Sequence, residues 1–152
     1  MLEKDDRFEA ALLEAQVAAA EDEVPVGAVV YDKDGKIIGR GHNRREQDHC
    51  PTAHAEILAI NEAAKTLKSW RLVDCTLVVT LEPCPMCLAA CQQARLSQIY
   101  YGAADPKGGA VSLGYKLHED PRTNHRFSVT YEETGACGKI LQDFFKRKRE
   151  EK

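Results

Sequence analysis

The segment Thr80-Leu81-Glu82-Pro83-Cys84-Pro85-Met86-Cys87-Leu88-Ala89-Ala90-Cys91 joins a predicted strand to a predicted helix and carries Cys84 and Cys87 at the junction. The strand is the β-branched run Thr76-Leu77-Val78-Val79 just before it. The helix is announced by Pro85, because a first helical position has no intrahelical partner for the N–H that proline lacks. Cysteines three residues apart share a helical turn, so their thiols can converge on one point. The positive end of the helix dipole lowers thiol pKa there and favours the thiolates that bind metal. A Cys-x-x-Cys pair is by itself half a zinc site, a redox dithiol or two core cysteines.

Upstream, Pro51-Thr52-Ala53-His54-Ala55-Glu56 opens a second helical pattern that runs on from Ile57 to Leu67. Residues two apart diverge on a helix flank, but both reach one ligand when the helix end points at it. Two helices aimed end-on at one point deliver His54, Cys84 and Cys87 to a zinc ion. Three protein ligands leave the fourth position open for water, the mark of a catalytic zinc, and Glu56 then stands beside that water as a base.

Outward from these two helices the pattern is of short strands and helices. Phe8, Leu12, Ala15 and Ala19 recur at helical spacing and predict a first helix over about 6–21. Residues 26–31 and 36–41 predict an antiparallel hairpin around Asp32-Lys33-Asp34-Gly35. Residues 99–102 and 127–131 predict two further strands, and Ile140, Leu141, Phe144 and Phe145 form the apolar stripe of a last helix. Strands alternating with helices from residue 75 onward give an α/β fold with a mixed sheet. At 152 residues, the expectation is one domain spanning 1–152, with a C-terminal helix and basic tail at about 136–152.

Composition is that of a globular protein, with 43% hydrophobic and 30% charged residues. No apolar run is long enough to span a bilayer, and the first residues lack signal-peptide character, so no membrane partner is expected. Six cysteines without an export signal point to free thiols in the cytoplasm. The net charge of −3 is unevenly spread: residues 1–23 carry eight acids and two bases, residues 139–152 six bases and three acids. The acidic first helix is expected to be a solvated face. Phe144 and Phe145 beside Lys146-Arg147-Lys148-Arg149 offer the stacking and phosphate attraction used on single-stranded RNA, or form a core pair before a solvated terminus.

His-Ala-Glu followed by Pro-Cys-x-x-Cys resembles the zinc-deaminase signature. Beyond it, the stretches 23–29, 41–44, 51–57, 80–87, 105–109 and 124–126 are similar to the bacterial tRNA-specific adenosine deaminases. The resemblance implies a cytidine deaminase-like, three-layer α/β/α fold with a central five-stranded mixed sheet and one zinc between two helix N-termini. It implies hydrolytic conversion of adenosine to inosine, with loss of ammonia, at the wobble position of a tRNA anticodon loop. It also implies a homodimer. Glu56 would move the protons and Asn43 would read the flipped base. Asp105 would either take a ribose hydroxyl or start a turn, and Phe144, Phe145, Arg147 and Arg149 would meet RNA. The zinc motif is shared with deaminases of small bases such as guanine or cytosine, which is the alternative. A non-catalytic zinc module would need no Glu56. The chain departs from the family at Cys50, which usually is Asp, at Leu113-Gly114-Tyr115 and within residues 88–91. Cys50 thus places a reactive thiol near the site, while Cys75, Cys91 and Cys137 read as small core residues.

Overall fold

The computed structural model describes residues 4–151. In chain order the elements are α1 (Lys4–Ala20), β1 (Gly27–Tyr31), β2 (Ile37–His42), α2 (Ala55–Leu67), β3 (Thr76–Val79), α3 (Pro85–Gln93), β4 (Gln98–Tyr101), β5 (Ser128–Tyr131) and α4 (Gly135–Glu150), with one 3-10 turn at Leu117–Glu119. The five strands form one mixed sheet in the order β2-β1-β3-β4-β5. β1 runs antiparallel to β2 and β3, while β4 runs parallel to β3 and β5.

The hairpin forms because Asp32 Oδ1 accepts hydrogen bonds from the N–H groups of Asp34 and Lys36, each at 2.9 Å, and Gly35 supplies a φ of 84°. Alternation along the strands then sorts side chains into two cores. Ala28, Val30, Leu77, Val79, Ile99 and Tyr101 face α2 and α3. Val29, Tyr31 and Val78 face the other way, with Phe8 and Ala11 of α1 and Cys137 of α4. The sheet is therefore the middle of three layers.

One contact sets the position of α2. The alanines at 55, 59 and 63 are all fully buried. They lie over Gly39 and Gly41 of β2, where any Cβ would come within 2.3 Å of Ala59 O and 2.4 Å of Ala55 O, respectively. Small residues on both sides let the helix lie against the strand, and its N-terminus then ends beside that of α3.

Several expectations need correction. The buried stripe of α1 is Phe8, Ala11, Ala15 and Ala18, with Leu12 and Ala19 only half buried. The acidic end of α1 is not simply solvated. His42 lies 3.0 Å from Glu14 and 3.1 Å from Glu21, Glu21 also binds Arg44 at 2.9 Å, and Glu23 is buried. Helix and strand do not alternate to the end: β4 and β5 are parallel, yet residues 102–127 between them hold only the 3-10 turn. Finally, α4 runs through the bases at 146–149 to Glu150, and Arg147, Lys148 and Arg149 lie in its last turn, where cations meet the negative end of the dipole.

Candidate active site

The two helix starts are built alike. His54 is the N-cap of α2 and Cys84 the N-cap of α3, both in extended backbone conformation, and neither side chain caps its own helix. An N-cap side chain of this kind can point past the helix end, which is why His54 and Glu56 face one place although they are two residues apart. Pro85 takes the first helical position of α3, and Cys87 lies buried on its first turn.

His54 Nδ1 lies 3.7 Å from Cys84 Sγ and 3.5 Å from Cys87 Sγ. The three donor atoms all fall within 4.8 Å of one another, and among the described residues they form the candidate metal-binding group. Bond lengths of about 2.3 Å to sulfur and about 2.0 Å to nitrogen, at a tetrahedral angle, put the sulfur and nitrogen donors of a zinc site about 3.5 Å apart. One imidazole and two thiols at these separations fit zinc in both chemistry and spacing.

The protons of the cluster are strongly redistributed. A hydrogen bond from the Cys87 thiol brings Cys84 down to about 4, against the cost of its burial. The same bond, seen from the donor, pushes Cys87 far up, and its hydrogen bond with Cys84 raises His54. Metal binding removes such thiol protons, because the ligand is the thiolate. Glu56 is only 4% exposed. Desolvation carries its carboxyl up to about 7, with His54 and a hydrogen bond from Cys87 acting the other way. A carboxyl titrating near neutrality can both take and give a proton.

His54, Glu56 and Cys84 open into a cavity of about 470 Å³, whose other walls include Val24, Asn43, Arg45, Asp105, Gly108, Leu141 and Phe145. Asn43 is 5% exposed, just past the end of β2. Its Nδ2 donates to Val24 O at 3.2 Å and its Oδ1 accepts from the N–H of Arg45 at 3.2 Å. Asp105 does make the turn, since its Oδ1 accepts from the N–H groups of Lys107 and Gly108 at 3.2 and 3.1 Å. It also lines the cavity, so the two readings of this residue are compatible.

The C-terminal residues divide. Phe145 is 45% exposed at the cavity wall. Phe144 is buried, edge-on to Phe145 at 5.4 Å and under Arg147 and Lys148, so it has no free face on which a base could stack. Arg147 and Lys148 both bind Asp22, at 3.4 and 2.6 Å, while Arg149 is exposed. Cys50 lies outside the metal-binding group. Its thiol is 3.4 Å from Thr52 Oγ1, and that hydrogen bond lowers its pKa. All six cysteines are free, and Cys75, Cys91 and Cys137 are buried as expected.

Two acids near the cavity escaped the sequence reading. Glu82 and Glu23 are 3% and 1% exposed, and each accepts backbone N–H groups from a loop of the cavity wall. In the sequence the signal for Glu82 is its place between Leu81 and Pro83, in a stretch otherwise apolar or cysteine-bearing.

The family model for MafB19-like deaminases matches residues 2–149. The tRNA-specific adenosine deaminase of Streptococcus pyogenes serotype M1 is 46% identical over 143 residues, or 93% of this chain and 83% of that protein. A solved structure from work on A-to-I editing by tRNA deaminases at the wobble position of transfer RNA superposes with a TM-score of 0.81. It is 42% identical, over 93% of this chain and 99% of its own. The guanine deaminase of Bacillus subtilis is more distant, with a TM-score of 0.66 and 30% identity over 95% of each chain. Identity at the higher level along almost the whole chain, on a shared fold, makes this chain a member of the tRNA-specific adenosine deaminase family.

Proposed function

We propose that the site deaminates adenosine to inosine at the wobble position of a tRNA anticodon loop, with one zinc held by His54, Cys84 and Cys87. The observation that carries this is the convergence of one imidazole and two thiols on a point beside a buried carboxyl. Zinc, when bound, supplies an acidified water at the open position. Glu56 then takes the proton of the water as it adds to carbon 6 of the adenine. It gives that proton to the ring nitrogen, then carries the remaining hydroxyl proton from carbon 6 to the departing amine as the carbon–nitrogen bond breaks and the carbonyl of inosine forms, since an unprotonated amide anion is a very poor leaving group. Asn43 reads the base, with its amide orientation fixed at both ends by backbone. Asp105 spends Oδ1 on its turn and has Oδ2 left for a ribose hydroxyl. Phe145 supplies the stacking face, with Phe144 bracing it from beneath. Arg149, and Arg147 on release from Asp22, answer phosphate.

The second reading, a guanine or cytosine deaminase, draws on the guanine deaminase likeness. We favour the RNA substrate because the tRNA deaminase is the nearer of the two in both identity and superposition. The cell compartment that fits is the cytoplasm, where tRNA and six free thiols coexist. Among the described residues no helix is long and apolar enough to cross a membrane. The homodimer belongs to this reading as well.

Ammonia release from unmodified tRNA, set beside free guanine, cytosine and adenosine, tests the substrate. The expected result is ammonia from tRNA alone; release from guanine or cytosine with an inert tRNA would establish the second reading.

A further inference from the structure

We infer that Glu82 and Glu23 are positioning residues, buried carboxylates that pin the two lips of the substrate cavity. This rests on the function proposed above and adds to it what holds the RNA-facing walls in register. Neither carboxylate is paired with a cation among the described residues, yet both are almost fully buried. A buried carboxylate is costly unless its lone pairs are met. Here they are met by the loops themselves. Glu82 Oε1 accepts from the N–H of Asp105 at 3.0 Å and from Ser112 Oγ at 2.6 Å, and Oε2 accepts from the N–H of Ser112 at 2.7 Å. Glu23 accepts from the N–H groups of Glu46 at 3.2 Å and Gln47 at 2.7 Å.

The two clamps hold different wall segments of the cavity, one carrying Asp105 and the other Asn43 and Arg45. Glu82 lies two residues before Cys84 and ties the cysteine segment to the lip that carries Asp105. The lip passes so close that a Cβ at Gly109 would come within 2.1 to 2.5 Å of the Glu82 carboxylate. Glu23 lies next to Val24, whose carbonyl oxygen fixes the Asn43 amide, and ties that segment to the lip that carries Asn43 and Arg45. Several donors converge on each carboxylate, so an amide cannot replace it. A glutamine brings one oxygen and sets an NH2 group against a backbone N–H. The function of these two acids is therefore separable from their size.

The test uses zinc-loaded Glu82→Gln and Glu23→Gln proteins, at temperatures well below their unfolding transitions. Amide exchange is read at residues 105, 112, 46 and 47, and kinetics are read on a tRNA anticodon stem-loop. The expected result is faster exchange at 105 and 112 in Glu82→Gln, and at 46 and 47 in Glu23→Gln, with zinc content unchanged. KM for the stem-loop rises on the order of tenfold, the scale of one charge-assisted hydrogen bond, while kcat changes much less. A merely structural role would lower the unfolding temperature and leave KM alone. If Glu82→Gln does not fold, Ser112→Ala decides, since it removes one donor and spares the carboxylate: a raised KM supports the clamp and a wild-type KM overturns it. A wild-type protein that leaves the stem-loop unedited overturns the proposed function. An active wild type beside Gln variants of unchanged KM overturns the positioning role alone.

Discussion

Glu56→Gln is expected to keep its zinc and its tRNA affinity while losing turnover by on the order of 10² to 10⁴-fold or more, the contribution of a general acid–base. The substitution keeps the shape of the side chain and removes only its ability to carry a proton. Glu56 is buried on the first turn of α2, beside the metal-binding group and outside it. The loss therefore belongs in kcat. Its environment supports the role: burial brings the carboxyl to about 7, so both protonation states are accessible near neutral pH. Steady-state kinetics with metal analysis on the same preparation checks this. Near-normal turnover would remove Glu56 from the mechanism, and loss of zinc would recast it as a ligand.

Cys87→Ala is expected to lose most of its zinc, and activity with it, where the wild type carries one zinc per chain. The thiol is fully buried and 3.5 Å from His54 Nδ1, and alanine puts no ligand atom in its place. Cys91→Ala is the matched control. Cys91 is also buried on α3, but it packs in the core with Leu77 and Leu88 and should leave zinc in place. Metal analysis separates the two variants. Full zinc retention in Cys87→Ala would show that the ligand set is wrong.

What could be read from the sequence follows from how local each signal is. The strand 76–79 and the helix opened by Pro85 are adjacent in the chain, and the hairpin is fixed by Asp32 and Gly35 within its own turn. The metal-binding group was legible because each helix start carries its donors within a few residues. The buried stripe of α1 was not, since it is mostly alanine, and alanine is as common on exposed helix faces as on buried ones. The link from β4 to β5 was not legible either. Residues 102–127 have no apolar period and are held instead by distant side chains. Glu82 binds Asp105 and Ser112, Gln92 Nε2 donates to His125 O at 3.2 Å, and His125 Nε2 meets Leu96 O at 2.7 Å. The same limit hid Glu23 and Glu82, because an acid is read as exposed until its donors are known. The C-terminal helix shows the reverse case: Phe144 and Phe145 are neighbours in sequence, and only packing against Arg147 and Lys148 tells the buried ring from the exposed one.

The most direct measurement is the nucleoside content, position by position, of an unmodified tRNA with adenosine at its wobble position after incubation with the zinc-loaded protein. The proposed function predicts one inosine per tRNA, at that position and no other, with one ammonia released for each. A tRNA whose wobble adenosine stays intact, under conditions where the same protein releases ammonia from free guanine, would contradict it.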